Sequence, residues 1–91
     1  MISNSTISDN KLAGIAFSGS GSDLTVIYNN ITNNFNGINV TAPRYVSILS
    51  NYIAFNKRNG VYIDNPITFV EIKGNFFNQM HIGKFSMISM S

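Results

Sequence analysis

Ile48-Leu49-Ser50-Asn51-Tyr52-Ile53-Ala54-Phe55-Asn56-Lys57-Arg58-Asn59-Gly60-Val61-Tyr62-Ile63 is the clearest copy of a phrase that this chain repeats. Its apolar residues alternate with polar ones before and after the glycine, which is the signature of strands with one buried face. No stretch carries the 3.6-residue period long enough to make a helix. Reading outward, Gly14, Gly37, Gly60 and Gly83 lie 23 residues apart, three times running. A fixed period of 20 to 50 residues is the mark of a solenoid.

Each unit holds three short apolar pieces. The first is a pair two apart: Leu24/Val26, Val46/Ile48 and Val70/Ile72, with Ile2 as its remnant. The second centres on Ile7, Ile31, Ile53 or Phe77, and the third is Ile15/Phe17, Ile38/Val40 or Val61/Ile63. β-Branched residues suit the pleated surface this implies. Asparagines hold register between the pieces. Asn29, Asn51 and Asn75 stand two residues before the central apolar residue, with Ser5 in the equivalent place, and Asn10, Asn34 and Asn56 stand three after it. Asn suits tight turns because it tolerates the left-handed region and bonds local backbone, and stacked amides can bond one another along the axis. Gly14, Gly37, Gly60 and Gly83 are expected to supply a positive φ at the third corner.

Three strands and three turns per repeat predict an all-β, parallel β-helix solenoid of about four coils of 23 residues, at about 4.8 Å per rung. One domain or fragment, 1–91, divides approximately into coils 1–23, 24–45, 46–68 and 69–91. The quoted phrase resembles the right-handed parallel β-helix repeat family, whose pattern reads roughly Ile-x-Asn-Asn-x-Ile-x-x-Asn-x-x-Gly-Ile-x-Val. Resemblance to that family implies the fold far more than the function. Its members include pectate-lyase-like polysaccharide lyases and hydrolases, uronan epimerases, phage tail spikes, surface adhesins and a copper-loading periplasmic protein. Leucine-rich repeats would need more than Leu12, Leu24 and Leu49, and the calcium-binding Gly-Gly-x-Gly-x-Asp repeat is absent.

Composition narrows the rest. The 91 residues contain no cysteine, so neither a disulfide nor a thiolate metal site supports the fold. Six Lys/Arg against four Asp/Glu give a net charge of +2, and the cations are scattered rather than set in the basic, aromatic-interleaved stripe that nucleic acid requires. No run of 18 apolar residues offers a membrane-spanning helix. Nor does the start read as a signal peptide, so an extracellular or cell-surface parent protein would carry its signal elsewhere. The repeat decays after Phe77: Met80 replaces an Asn, Lys84 replaces an apolar residue, and the tail predicts either a slipped last strand with Phe85 and Met87 inside or a cap. The chain therefore reads as the terminal piece of a longer β-helix, or as a protomer that stacks on others or on adjoining coils.

Outward side chains are where function can sit. Glycoside hydrolysis needs two carboxylates at close separation. Asp9 is expected near the second corner, Asp23 and Asp64 in the loop after the third strand, and Glu71 on the first strand, too dispersed for a pair. Clustered acids for calcium are also missing beside Arg44 and Arg58. His81 stands alone as a histidine, and Met80, Met87 and Met90 near it read as gap-fillers more readily than copper ligands. No cofactor is expected. Tyr52 and Phe76 are expected side by side on successive second strands, with Tyr62 outward on a third strand, as contacts for a glycan or a partner protein. Three glycosylation sequons begin at Asn4, Asn30 and Asn39. The sequence thus predicts a non-catalytic binding module, with a carbohydrate-active enzyme fragment or a tail-spike segment as alternatives.

Overall fold

The computed structural model describes residues 1–18, 22–41, 43–64, 69–78 and 88–90. In chain order the strands are β1 (Ile2–Ser3), β2 (Thr6–Ser8), β3 (Ala13–Ser18), β4 (Asp23–Ile27), β5 (Asn30–Thr32) and β6 (Asn36–Thr41). They continue as β7 (Tyr45–Leu49), β8 (Tyr52–Ala54), β9 (Asn59–Asp64), β10 (Phe69–Lys73), β11 (Phe76–Asn78) and β12 (Ile88–Met90). Through β11, every third strand shares a sheet, and β12 joins the first. The first sheet runs β1-β4-β7-β10-β12, the second β2-β5-β8-β11 and the third β3-β6-β9. All pairings are parallel, and through β11 they keep the repeat register: Leu24 meets Val46, Ile31 meets Ile53, and Ile38 meets Val61. The three expected pieces per repeat are the three sheets of a solenoid.

The interior is almost wholly β-branched. Val26, Ile31, Ile38, Val40, Val46, Ile48, Ile53, Val61, Ile63, Val70 and Ile72 are buried, with Ile15 and Leu24 beside them. Ile2, Ile7, Phe17 and Phe77 pack against this column from its ends and edges. Like residues stack on like because each rung repeats the alternation of the one below. A single rung has no second layer to cover its apolar face, so stability comes from neighbouring rungs.

Two corners are built on asparagine columns. Asn51 Oδ1 accepts from the backbone N–H and the amide of Asn29 at 2.9 and 3.1 Å, and Asn75 Oδ1 does the same for Asn51 at 2.8 and 2.9 Å. Each amide also donates to the preceding rung, Asn51 to the Val26 carbonyl at 2.9 Å and Asn75 to the Ile48 carbonyl at 2.7 Å. The second column repeats the pattern: Asn10 donates to Asn34 Oδ1, and Asn34 to Asn56 Oδ1. Asn29, Asn34, Asn51 and Asn56 are buried, and amides so placed must have partners for both donors and acceptor.

The left-handed residue of each turn is not the one expected. Gly14, Gly37 and Gly60 have no positive φ; among the described glycines only Gly74 does, at 66°. The positive-φ positions are those immediately before the ladder asparagines, or before Ser5 in the equivalent place: Asn4, Tyr28, Ser50 and Gly74 at one corner, Asp9, Asn33 and Phe55 at the other. One left-handed residue ends the extended backbone and turns the following amide inward. The periodic glycine answers a different demand, close approach between rungs. A Cβ on Gly37 would lie 2.5 Å from the Gly60 carbonyl oxygen and 3.0 Å from Asn56 Nδ2. Two further boundaries shift, since Asp23 opens β4 and Asp64 closes β9 instead of lying in loops, because ladder pairing extends to Asp23↔Tyr45 and Thr41↔Asp64. At the far end, Ile88–Met90 joins β10 as the next rung of the first sheet. Gln79, Met80, His81, Gly83, Lys84, Phe85 and Met87 lie outside the described residues.

Two stability predictions follow from this packing. Gly37→Ala forces rigid backbone apart and should destabilise by about 1–3 kcal/mol. Gly60→Ala should cost less, because the atoms nearest its new Cβ belong to the side chains of Ile53 and Phe77, the first at 3.2 Å. Urea denaturation of the two variants checks this order, and equal losses would refute the close-approach account. Asn51→Ala strands the buried Asn29 donors at about 1–3 kcal/mol per group. Asn59→Ala, which removes a half-buried side-chain amide donating to Asn36 Oδ1 at 3.3 Å and leaves the backbone donor in place, should cost clearly less in the same assay.

Candidate functional site

Function is confined to the outward rows, since the inward ones fill the solenoid. On the second sheet one row reads Thr6, Asn30, Tyr52, Phe76. The Tyr52 and Phe76 rings are stacked, 5.1 Å between centroids and 1° from parallel, and both are exposed, at 40% and 56%. The expected neighbours are therefore together. Parallel stacking along the axis turns their shared faces toward each other, which is ladder packing between rungs, and leaves ring edges and the Tyr52 hydroxyl facing out.

Tyr62 stands on a different sheet. Its row reads Ala16, Asn39, Tyr62, beside the row Ala13, Asn36, Asn59. Asn36, Asn39, Asn59, Tyr62 and Arg58 line an open groove of about 210 Å³. Asn36 Oδ1 is taken by Asn59, which orients both amides, while Asn39 sits one strand position from the buried Ile38 and Val40 and so points outward. The groove offers carboxamides, a guanidinium and a phenol on rigid strands. The sequence pointed to Tyr62 but not to Asn39, Asn36 or Arg58 beside it. The row signal was present in the repeat, as the residue between the two inward positions of each third strand.

The carboxylates are dispersed, as expected. Asp9 occupies a corner, Asp64 ends a third-sheet strand, Glu71 lies mid-strand on the first sheet, and Asp23 opens one. Asp23 is committed to Arg44, whose Nε and Nη2 reach its two oxygens at 3.0 and 3.1 Å. Arg44 also lies 5.6 Å from the Tyr45 ring centroid. The hydrogen bonds from Arg44, helped by its charge, hold the Asp23 carboxyl below the usual carboxylate range. Among the described residues, no three His, Asp or Glu side chains gather as a metal site would require.

The family described as "Right handed beta helix region" matches residues 1–87. The chain belongs to that family. No curated protein and no solved structure matches the chain. This β-helix therefore carries its fold by family and its chemistry only by its own surface.

Because the folded Asp23 pKa is depressed, the pair's contribution is complete above the ordinary Asp range and is lost as pH falls through the folded value. Carboxyl-detected NMR titration should place Asp23 below its unfolded value, and Arg44→Ala should return it there. High salt should narrow the difference, since both groups are exposed. A normal titration in the intact chain would sink this.

Proposed function

We propose that this β-helix is a non-catalytic binding module of a surface or secreted protein, contacting glycan through outward side chains. The observation that carries the reading is the third-sheet groove, where three carboxamides flank Tyr62 and Arg58. Sugar hydroxyls both donate and accept, and a carboxamide answers with two donors and an acceptor in one group. A tyrosine ring supplies apolar area with a polar tip. Strands hold these groups in register, so little ordering remains to oppose binding. Dispersed carboxylates give the enzyme-fragment alternative no positive support in the described residues.

The stacked pair Tyr52 and Phe76 supports the partner-protein side of the same reading. Ring edges and exposed apolar area suit burial against another protein better than stacking on a sugar face.

Affinity electrophoresis through neutral polysaccharide gels tests the glycan contact. Tyr62→Ala and Asn39→Ala should each abolish retardation, with far-UV circular dichroism unchanged. Tyr52→Ala should leave retardation as it was. Retardation that survives Tyr62→Ala, or is absent from the unaltered chain across neutral glycans, would remove the proposal.

A further inference from the structure

The corner between the second and third sheets carries a groove of about 440 Å³ that is open to solvent. Two columns of side chains form its walls. One holds the left-handed residues Asp9, Asn33 and Phe55, at φ of 62°, 58° and 56°. The other holds the residues just after the ladder asparagines, Lys11, Phe35 and Lys57. The ladder amides Asn10 and Asn34 lie between them as part of the lining. Backbone positions in each column repeat at the rung spacing of about 4.8 Å, so Lys11 and Lys57 bracket Phe35 from two rungs apart.

Phe55, like Tyr28 at the other asparagine corner, puts a bulky side chain at a left-handed position. Asp and Asn adopt the left-handed region readily, whereas a bulky residue there is an outlier. The ring is also half in water, at 49% exposure, as is Phe35 at 36%. Neither ring stacks on another aromatic among the described residues. Strain and exposure together mark a position held for something other than folding. Charge at the corner points the same way. Lys11 and Lys57 bring two of the chain's six cations to this groove against the single carboxylate of Asp9.

We propose that this corner groove is a second binding site, separate from the groove around Tyr62, for a saccharide ring bearing an anionic substituent, sulfate or carboxylate. The apolar face of the ring lies on Phe55 and Phe35, and the anion lies toward Lys11 or Lys57. A lysine ammonium is a point charge that accepts either anion without the planar fork of arginine. Asp9 opposes the anion and sets a limit on affinity.

Amide NMR titrations of the intact chain with sulfated, uronate and neutral oligosaccharides, and with inorganic sulfate, test the assignment. The charged oligosaccharides should shift residues 9–11, 33–35 and 55–57, and the stronger of the two identifies the substituent. Affinity should fall about tenfold or more in Lys11→Ala/Lys57→Ala, weaken with salt, and rise in Asp9→Asn. Phe55→Asn separates function from folding: it should raise the melting temperature by relieving the left-handed strain, yet weaken binding. Equal shifts from the neutral sugar, or from inorganic sulfate at the same concentration, would overturn the proposal. So would unchanged affinity in the lysine double variant or in Phe55→Asn. The lysine, Asp9 and Phe55 variants read this site alone, since none of those residues lines the Tyr62 groove.

Discussion

Everything in this molecule hangs on the vertical hydrogen bonds of the buried asparagines. A parallel rung slipped by two residues would keep its alternation of inward and outward side chains, so apolar patterning alone leaves that register open. The amides remove the ambiguity. Asn51 Oδ1 can take both Asn29 donors only when the coils differ by one full repeat, and the Asn34–Asn56 bonds impose the same offset at the next corner. Because these amides are buried, a slipped register leaves several polar groups without partners at once. Specificity of stacking therefore comes from polar groups, while the stacked Val and Ile columns supply most of the favourable free energy.

From that register the surface follows without further adjustment. Each outward row is a column of equivalent positions, so the chain writes chemistry on its faces one residue per rung. The third sheet collects Asn39 with Tyr62, the second collects Tyr52 with Phe76, and the corner collects lysines with phenylalanines. Such a rod can vary any outward residue without touching its core. This is why belonging to the β-helix family says so much about the backbone and so little about a ligand.

Much of this was legible in the primary structure. The 23-residue glycine period, the three apolar pieces and both asparagine columns can be located by inspection, because each is a repeated identity at a repeated position. The neighbour relation of Tyr52 and Phe76 was legible for the same reason. What was misread was the role of the glycine. A periodic glycine suggests a turn with positive φ, and the true cause is the carbonyl oxygen of the next rung, 2.5 Å from where a Cβ of Gly37 would sit. That distance belongs to two residues far apart in the chain and has no local signature.

The sequence by itself determined the fold, the register and the identity of each stacked column, since these depend on periodicity and a solenoid translates sequence period directly into space. Only the tertiary structure decided which residues share a surface across a corner. Tyr62 and Tyr52 are ten residues apart and face different sheets, whereas Lys11 and Lys57 are 46 apart and line one groove. The physical reason is that facing depends on where the backbone leaves its extended form. Those bends sit at single left-handed residues such as Asp9, Asn33 and Phe55, and Phe55 carries none of the local turn signal that Asp and Asn do.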